Sequence, residues 1–297
     1  MMRRRTFLAA GAALMVARPA RAAASAQRIV SIGGAMTEIV FALGEGARVV
    51  AVDTTSLYPA SAVSALPKVG YLRQLSVEGI LSTRPDLILA DVDAGPQNVL
   101  DQLQNMGAPV AHFGGGHSVD SVAPKIRFVG GAIGHAAEAE AMVAAYAADL
   151  KAVETAVAGL DPKPKVLFLM AAGNTGLRGA GDGTAAAEMI ARAGGVNSFA
   201  GVPGYKPVSP EAALAADPDT LLMMQQTLDE MGGIEAVAKL PALAKLTAAR
   251  EKRIVALDGN YMLNFGPRTA HAIRDLAAAL HPGAALPPLP ERPWTVS

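Results

Sequence analysis

One stretch of fifteen residues occurs twice in this chain. Leu75-Ser76-Val77-Glu78-Gly79-Ile80-Leu81-Ser82-Thr83-Arg84-Pro85-Asp86-Leu87-Ile88-Leu89 lines up without gaps on Val208-Ser209-Pro210-Glu211-Ala212-Ala213-Leu214-Ala215-Ala216-Asp217-Pro218-Asp219-Thr220-Leu221-Leu222, about 133 residues later. Ser, Glu, Leu, Pro and Asp coincide. Each copy reads as an N-capping Ser, a carboxylate in the first helical turn, a short helix, and Pro-Asp leading into a strand. Taken locally, either glutamate is accounted for by the helix dipole, which favours negative charge at a helix start. One unit in each half nevertheless implies two lobes of similar build, with Glu78 and Glu211 at equivalent places. That is the geometry of a two-lobed clamp.

The rest of the pattern agrees with α/β lobes. Short apolar runs at 28–32, 49–52, 87–89 and 110–113 alternate with helical stretches, and a second series follows at 166–170, 220–223 and 254–257. Such alternation predicts βαβ units and mainly parallel central sheets, hence two Rossmann-like lobes at 28–135 and 165–282 with a ligand cleft between them. Between the series, 136–158 is Ala-rich and free of Gly and Pro. Met142, Tyr146, Leu150, Val153 and Val157 recur there at spacings of three and four, which predicts one long, stiff connecting helix. A Pro-rich tail occupies 283–297.

A length of 297 residues suits two domains, and 51% hydrophobic content excludes a disordered chain. The formal net charge of +0 mixes two unlike pieces. Residues 1–22 carry five arginines and no acid; their apolar run from Phe7 to Ala17 and the small-x-small site Ala20-Arg21-Ala22 read as an export signal cleaved near Ala22. Arg4-Arg5-Thr6-Phe7-Leu8 fits both a twin-arginine signal and an ordinary secretory one. The remainder is acidic, which argues against a nucleic-acid partner. With no cysteine, disulfides, thiolate metal sites, cysteine nucleophiles and a cysteine-borne lipid anchor are all excluded.

No catalytic constellation stands out, so the chain is not expected to be an enzyme. Gly179-Ala180-Gly181-Asp182-Gly183-Thr184 lacks both the dinucleotide fingerprint and the lysine of a P-loop, and reads as a turn capped by Thr184. It is the sole support for an exported Rossmann-like oxidoreductase as a rival. His112 and His117 flank three glycines without a third ligand nearby. Tyr71 is more informative. It follows the turn-like Pro67-Lys68-Val69-Gly70 and precedes the helix capped by Ser76, in a region where α/β lobes bind ligands. Arg73, two residues on, places a cation beside the phenol and so favours phenolate. Phenolate is a hard ligand for ferric iron, and tyrosine is a known proximal ligand of haem.

Val52-Asp53-Thr54-Thr55-Ser56, then Leu66-Pro67-Lys68-Val69-Gly70-Tyr71-x-Arg73-x-Leu75-Ser76-x-Glu78-Gly79, resembles the haem-binding periplasmic components of bacterial ABC importers (HmuT type). Gly194-Gly195-Val196-Asn197, Gly204-Tyr205-Lys206-Pro207 and Phe265-Gly266-Pro267-Arg268-Thr269 resemble the same family, and the likeness runs from about Arg28 to Pro282. Binders of cobalamin and ferric siderophores share the Glu helices and the Pro-Asp strands without the tyrosine motif, and they are the nearer alternatives. The resemblance implies a monomeric periplasmic protein that carries haem b as transported ligand, delivers it to an inner-membrane ABC permease, and receives it from an outer-membrane haem receptor system. It implies Tyr71 as axial iron ligand, Arg73 as its hydrogen-bonding or propionate partner, and Glu78 and Glu211 as contacts to permease arginines. Arg178 is a candidate for a haem propionate, and Tyr205 and Tyr261 for the cleft lining. Some members supply a histidine from the second lobe. Here no histidine lies between His135 and His271, so five-coordinate iron on Tyr71 is expected.

Overall fold

The computed structural model describes residues 26–171 and 176–296; the export signal read at 1–22 lies outside the described residues. The amino-terminal half holds β1 (Ile29–Ile32), β2 (Val49–Val52), β3 (Gly70–Tyr71), β4 (Gln74–Leu75), β5 (Leu87–Ala90) and β6 (Val110–His112). Four of these pair in parallel in the order β2-β1-β5-β6, while β3 and β4 form a separate antiparallel hairpin. The central strands β1 and β5 are buried at every position, as a parallel strand covered on both faces must be.

The carboxy-terminal half holds β7 (Lys165–Ala171), β8 (Leu177–Ala180), β9 (Val196–Asn197), β10 (Tyr205–Pro207), β11 (Thr220–Met224) and β12 (Ile254–Leu257). Its sheet runs β10-β8-β7-β11-β12, with β9 also on β7. The strands β7, β9, β11 and β12 are parallel, whereas β8 pairs antiparallel with β7 on one side and with β10 on the other. All seven strands expected from apolar runs are present. The hairpin and β8–β10 were not expected, because two to four residues, some of them Gly or Pro, give too little periodicity to read.

The repeat has a structural cause. In the first copy, Asp86 accepts the backbone N–H groups of Gln27 and Arg28 at 2.9 and 2.8 Å, tying β5 to the start of β1. In the second, Asp219 accepts Lys165 N–H at 2.8 Å, tying β11 to the start of β7. The two units therefore close the same corner of each sheet. Ser76 and Ser209 cap the helices Val77–Ser82 and Pro210–Ala216, accepting Gly79 N–H and Ala212 N–H at 3.1 Å each.

The connecting helix spans Ala136–Val157, 22 residues, or about 33 Å at the usual rise. It packs on helix Val122–Ile133 of one half and helix Thr269–Leu280 of the other. Its buried Met142, Tyr146 and Val153 belong to one apolar cluster that also contains Ile29, Met36, Phe168 and Ile273. The helix is thus the middle of a shared core rather than a bare rod. The Pro-rich tail packs on the same core: Trp294 is buried, and Arg292 reaches Asp149 of the long helix with two bonds of 3.0 and 2.7 Å.

Charged side chains tie the lobes together at two places among the described residues. Arg192 contacts Asp120 at 2.8 Å and Glu154 at 2.6 Å, linking both lobes to the long helix. Arg268, at the start of helix Thr269–Leu280, holds Glu38 of helix Gly34–Ala42 bidentately at 2.9 and 2.8 Å. The guanidinium of Arg268 also lies 3.6 Å from the centre of the Tyr58 ring, a cation–π contact. Both side chains of the Glu38–Arg268 pair are largely withdrawn from water, 2% and 13% exposed. Removing one partner of such a pair strands the other charge. Arg268→Met is expected to lower unfolding free energy by about 3–5 kcal/mol, and a Glu38→Leu/Arg268→Met double variant to lose less. Urea melts of wild type and both variants check this; equal losses in the single and double variants would contradict it.

Candidate functional site

Ligands of open α/β sheets bind beyond the carboxyl ends of the strands, and both sheets here point those ends at one cleft of about 800 Å³. Thr54 and Thr55 follow β2, Asp93 follows β5 and His117 follows β6. From the other lobe come Met170 and Ala171 of β7, Met224 and Gln226 at β11, and Asn260 after β12. Leu57, Leu72, Phe168, Ala185 and Leu263 add apolar wall. The volume falls within the range of about 300–1,000 Å³ usual for small-molecule clefts, and a mostly apolar lining with few polar points is their usual chemistry.

Tyr71 stands on the β3–β4 hairpin, opposite Gln74; it is 41% exposed and lines the cleft. The hairpin is tight because Gly70 adopts φ +114, where a Cβ would meet the Gln74 carbonyl at 2.8 Å. Three backbone bonds hold it: Thr54 N–H to Gly70 O at 2.9 Å, Leu75 N–H to Gly95 O at 3.0 Å, and Gly95 N–H to Leu72 O at 2.9 Å. Beneath it, fully buried Asp53 accepts Gly33 N–H and Thr55 N–H, each at 2.8 Å, and the Ser56 hydroxyl at 2.6 Å. This fixes the Thr54-Thr55 rim of the cleft. Across the rim, Asn260 donates to Thr55 O at 3.2 Å, joining the lobes at the cleft floor.

Arg73 sits in the hairpin turn and donates Nη1–H to the Tyr71 phenol oxygen at 3.0 Å. Its Nη2 is ion-paired with Asp93. Burial works against the Arg73 charge, but the bonds with Tyr71 and Asp93 outweigh it and hold the guanidinium above its ordinary pKa. Facing it from the other lobe, Arg178 on β8 donates to Tyr205 O at 2.7 Å, while its Nε is buried without a partner. Among the described residues no carboxylate pairs with Arg178, so it brings uncompensated positive charge to the cleft.

Tyr205 also lines the cleft, with its ring edge-on to Phe168 at 6.4 Å between centres. Burial pushes its hydroxyl above the ordinary tyrosine value, so it stays protonated at neutral pH. Tyr261 is placed differently. It is not among the residues lining the cleft, and its hydroxyl is spent on Asp275 at 2.8 Å. Glu78 and Glu211 are both exposed in the first turns of their helices, away from the cleft lining. Hydrogen bonds from its own backbone N–H and from Ser209 hold the Glu211 carboxyl below its usual value.

The geometry also brings in residues that sequence reasoning did not assign to the cleft. His117 forms part of the wall, its Nε2 3.0 Å from Leu263 O of the other lobe and its ring edge-on to Phe265. Burial first, then the Lys125 charge, hold its imidazole below the ordinary histidine value. Among the described residues no group of three or more His, Asp or Glu side chains could hold a metal ion, so His112 and His117 do not make a metal centre of protein ligands. Asp93 carried no motif; its only signal was a carboxylate just past the end of a parallel strand. The glycine-rich turn behaves as expected, with Thr184 capping helix Ala185–Arg192 by accepting Ala187 N–H at 3.2 Å. Its Gly181 lies against the Val202 carbonyl, where a Cβ would come within 1.7 Å, and Gly179 against the Val208 and Phe199 side chains, so chain packing accounts for these two glycines.

The fold has counterparts among solved structures. The periplasmic heme-binding protein RhuT from Roseiflexus sp. RS-1, in apo form, superposes with a TM-score of 0.84 at 42% identity, covering 88% of this chain and 100% of that one. The periplasmic heme-binding protein BhuT, in complex with two hemes, superposes with a TM-score of 0.79 at 40% identity, covering 85% and 98%. A vitamin B12-binding protein of Yersinia pestis is 28% identical over 269 residues, 90% of this chain and 91% of its own length. Residues 29–261 match the family model described as periplasmic binding protein, and this chain belongs to that family.

Proposed function

We propose that this protein captures haem in the inter-lobe cleft and delivers it to an ABC importer, with the Tyr71 oxygen as the single protein ligand to ferric iron. The observation that carries the reading is the Tyr71–Arg73 contact of 3.0 Å at the edge of an 800 Å³ apolar cleft. Coordination places negative charge on the phenol oxygen, and a guanidinium N–H aimed at that oxygen stabilises it. The apolar wall of Leu57, Leu72, Phe168 and Leu263 suits the face of a porphyrin, and Arg178 suits a propionate. Likeness to heme-binding proteins at 40–42% identity supports the same cargo. The transported species is haem b, whose vinyl and methyl edges ask only for such an apolar wall. A ferric siderophore, usually anionic, would ask for more unpaired cations than Arg178 offers. Cobalamin, bound by relatives at 28% identity, would leave Tyr71 without a role.

Export places the protein in the periplasm, with the leader removed near Ala22. There Glu78 and Glu211, on equivalent corners of the two lobes, meet arginine clusters on the two halves of the permease. Arginine suits this contact because its planar fork binds a carboxylate bidentately.

Mixing purified protein with haemin should give a high-spin ferric tyrosinate spectrum; cyanocobalamin should give no response. In Tyr71→Phe, which keeps the ring and loses only the oxygen, that spectrum should vanish and haemin affinity fall severely. A wild-type spectrum in this variant would exclude Tyr71 as the ligand.

Arg178→Ala should keep the tyrosinate spectrum but weaken haemin binding by roughly 10–100-fold, the usual worth of a hydrogen bond to a charged group. Titration by absorbance reads both quantities at once, and unchanged affinity would remove Arg178 from the site.

Glu78→Ala and Glu211→Ala should leave haemin titrations unchanged and impair uptake through the cognate transporter in proteoliposomes. The double variant should be the worst, and raised salt should weaken wild-type docking because exposed charge pairs are screened. Full transport by the double variant would leave both residues as helix-end charges.

A further inference from the structure

Arg73 is a long side chain, 56% exposed, and one hydrogen bond to a neutral phenol would not keep it in place. Its second contact is with Asp93, and that contact is built into the fold. The segment after β5 carries Asp91, Val92 and Asp93 in turn. Asp91 points inward and is ion-paired at 2.9 Å with fully buried Lys125. Ala94 N–H then closes a turn on Asp91 O at 2.9 Å, and Gly95 is stitched to the tyrosine hairpin through Leu72 O and Leu75 N–H. Asp93 lies inside this anchored turn, between the buried ion pair and the stitch. Hairpin and turn therefore form one unit that offers the Asp93 carboxylate to Nη2 while Nη1 faces the phenol.

Resting on the haem reading above, we propose that Asp93 is a positioning residue: it holds the Arg73 guanidinium on the Tyr71 oxygen and thereby sets how strongly that oxygen donates to the iron. Partners of this kind, one step beyond the ligand, orient it and tune the metal. Position and charge give opposite signs here, which makes the inference testable. Without Asp93 the guanidinium leaves the phenol, the bound phenolate loses its donor, and its lone pairs rise in energy. Were Asp93 only a nearby negative charge, its removal would lower them. Solvent exposure favours position over charge, because through-space charge is screened at a half-exposed site while a lost contact is not.

The test uses the full mature protein loaded with ferric haemin, and reads the phenolate-to-iron charge-transfer band and the haemin affinity. Asp93→Asn and Asp93→Ala should move the band to longer wavelength, in the direction of Arg73→Ala and no further, and weaken affinity by about three- to tenfold. Asp93→Glu should move both back toward wild type. Asp93→Ala added to Arg73→Ala should change nothing more, since Asp93 acts only through Arg73. A shift to shorter wavelength, an unshifted band, or a full additional loss in the Arg73→Ala background would each overturn the inference. Failure of the haem reading looks different: wild type would show no tyrosinate band at all, and the inference would fall with it. If Tyr71→Phe loses the band while the Asp93 variants match wild type, the positioning role alone is wrong.

Discussion

The bidentate pair between Glu38 and Arg268 is the contact on which the cleft depends. It joins the helix after β1 to the last helix of the other lobe, and neither charge has water to fall back on. Two lobes that each point their strand ends at a common space would be free to splay if only an apolar seam joined them, because hydrophobic contact is non-directional. A buried ion pair is directional, and a displaced charge is costly to leave unpaired. With Tyr58 stacked on Arg268 and Asn260 bonded to Thr55 O, the lobes keep one orientation, so the cleft walls are preformed.

Within that frame each lobe does a different job. The amino-terminal lobe carries the Tyr71 phenol on a hairpin held by backbone bonds and by the buried Asp53 beneath its rim. The carboxy-terminal lobe contributes a wall of Phe168, Met170, Met224 and Tyr205 with a cation, Arg178, that no carboxylate pairs among the described residues. This division suits a ligand with a metal at its centre, a broad apolar face and charge at its edge. On the proposed reading, a single oxygen ligand from one side also suits a carrier, which must release its cargo as well as hold it.

The repeat was legible because its physics is local. A Ser before a helix, a carboxylate in the first turn and Pro-Asp before a strand act over a few residues, and the structure adds only that Asp86 and Asp219 clamp equivalent strand starts. Tyr71 with Arg73 was legible for the same reason: two residues apart across a tight turn, they are neighbours by spacing alone, although Asp93 from a distant turn holds the guanidinium's other nitrogen. Tyr205 and Tyr261 were not separable in sequence. Both follow turn-rich segments, yet one faces the cleft and the other gives its hydroxyl to Asp275, a choice made by packing around helix Thr269–Leu280. The antiparallel strands β8 and β10 were missed because they are short and glycine- or proline-bearing, and their pairing partners come from β7 and from each other.

What the sequence alone determined is whatever depends on neighbours along the chain: seven strands, the long helix, the helix caps, the doubled unit and the tyrosine–arginine pair. The tertiary structure decided whatever depends on residues brought together from far apart. It made one core of two lobes and a helix, turned a Pro-rich tail into a strap held by Arg292 on Asp149, and set Asp93 against Arg73 and Arg178 across from Tyr71. Periodicity tells which face of an element is apolar, but it does not say which charged groups will share one low-dielectric space. That is settled only when the strand ends of both sheets meet at the cleft.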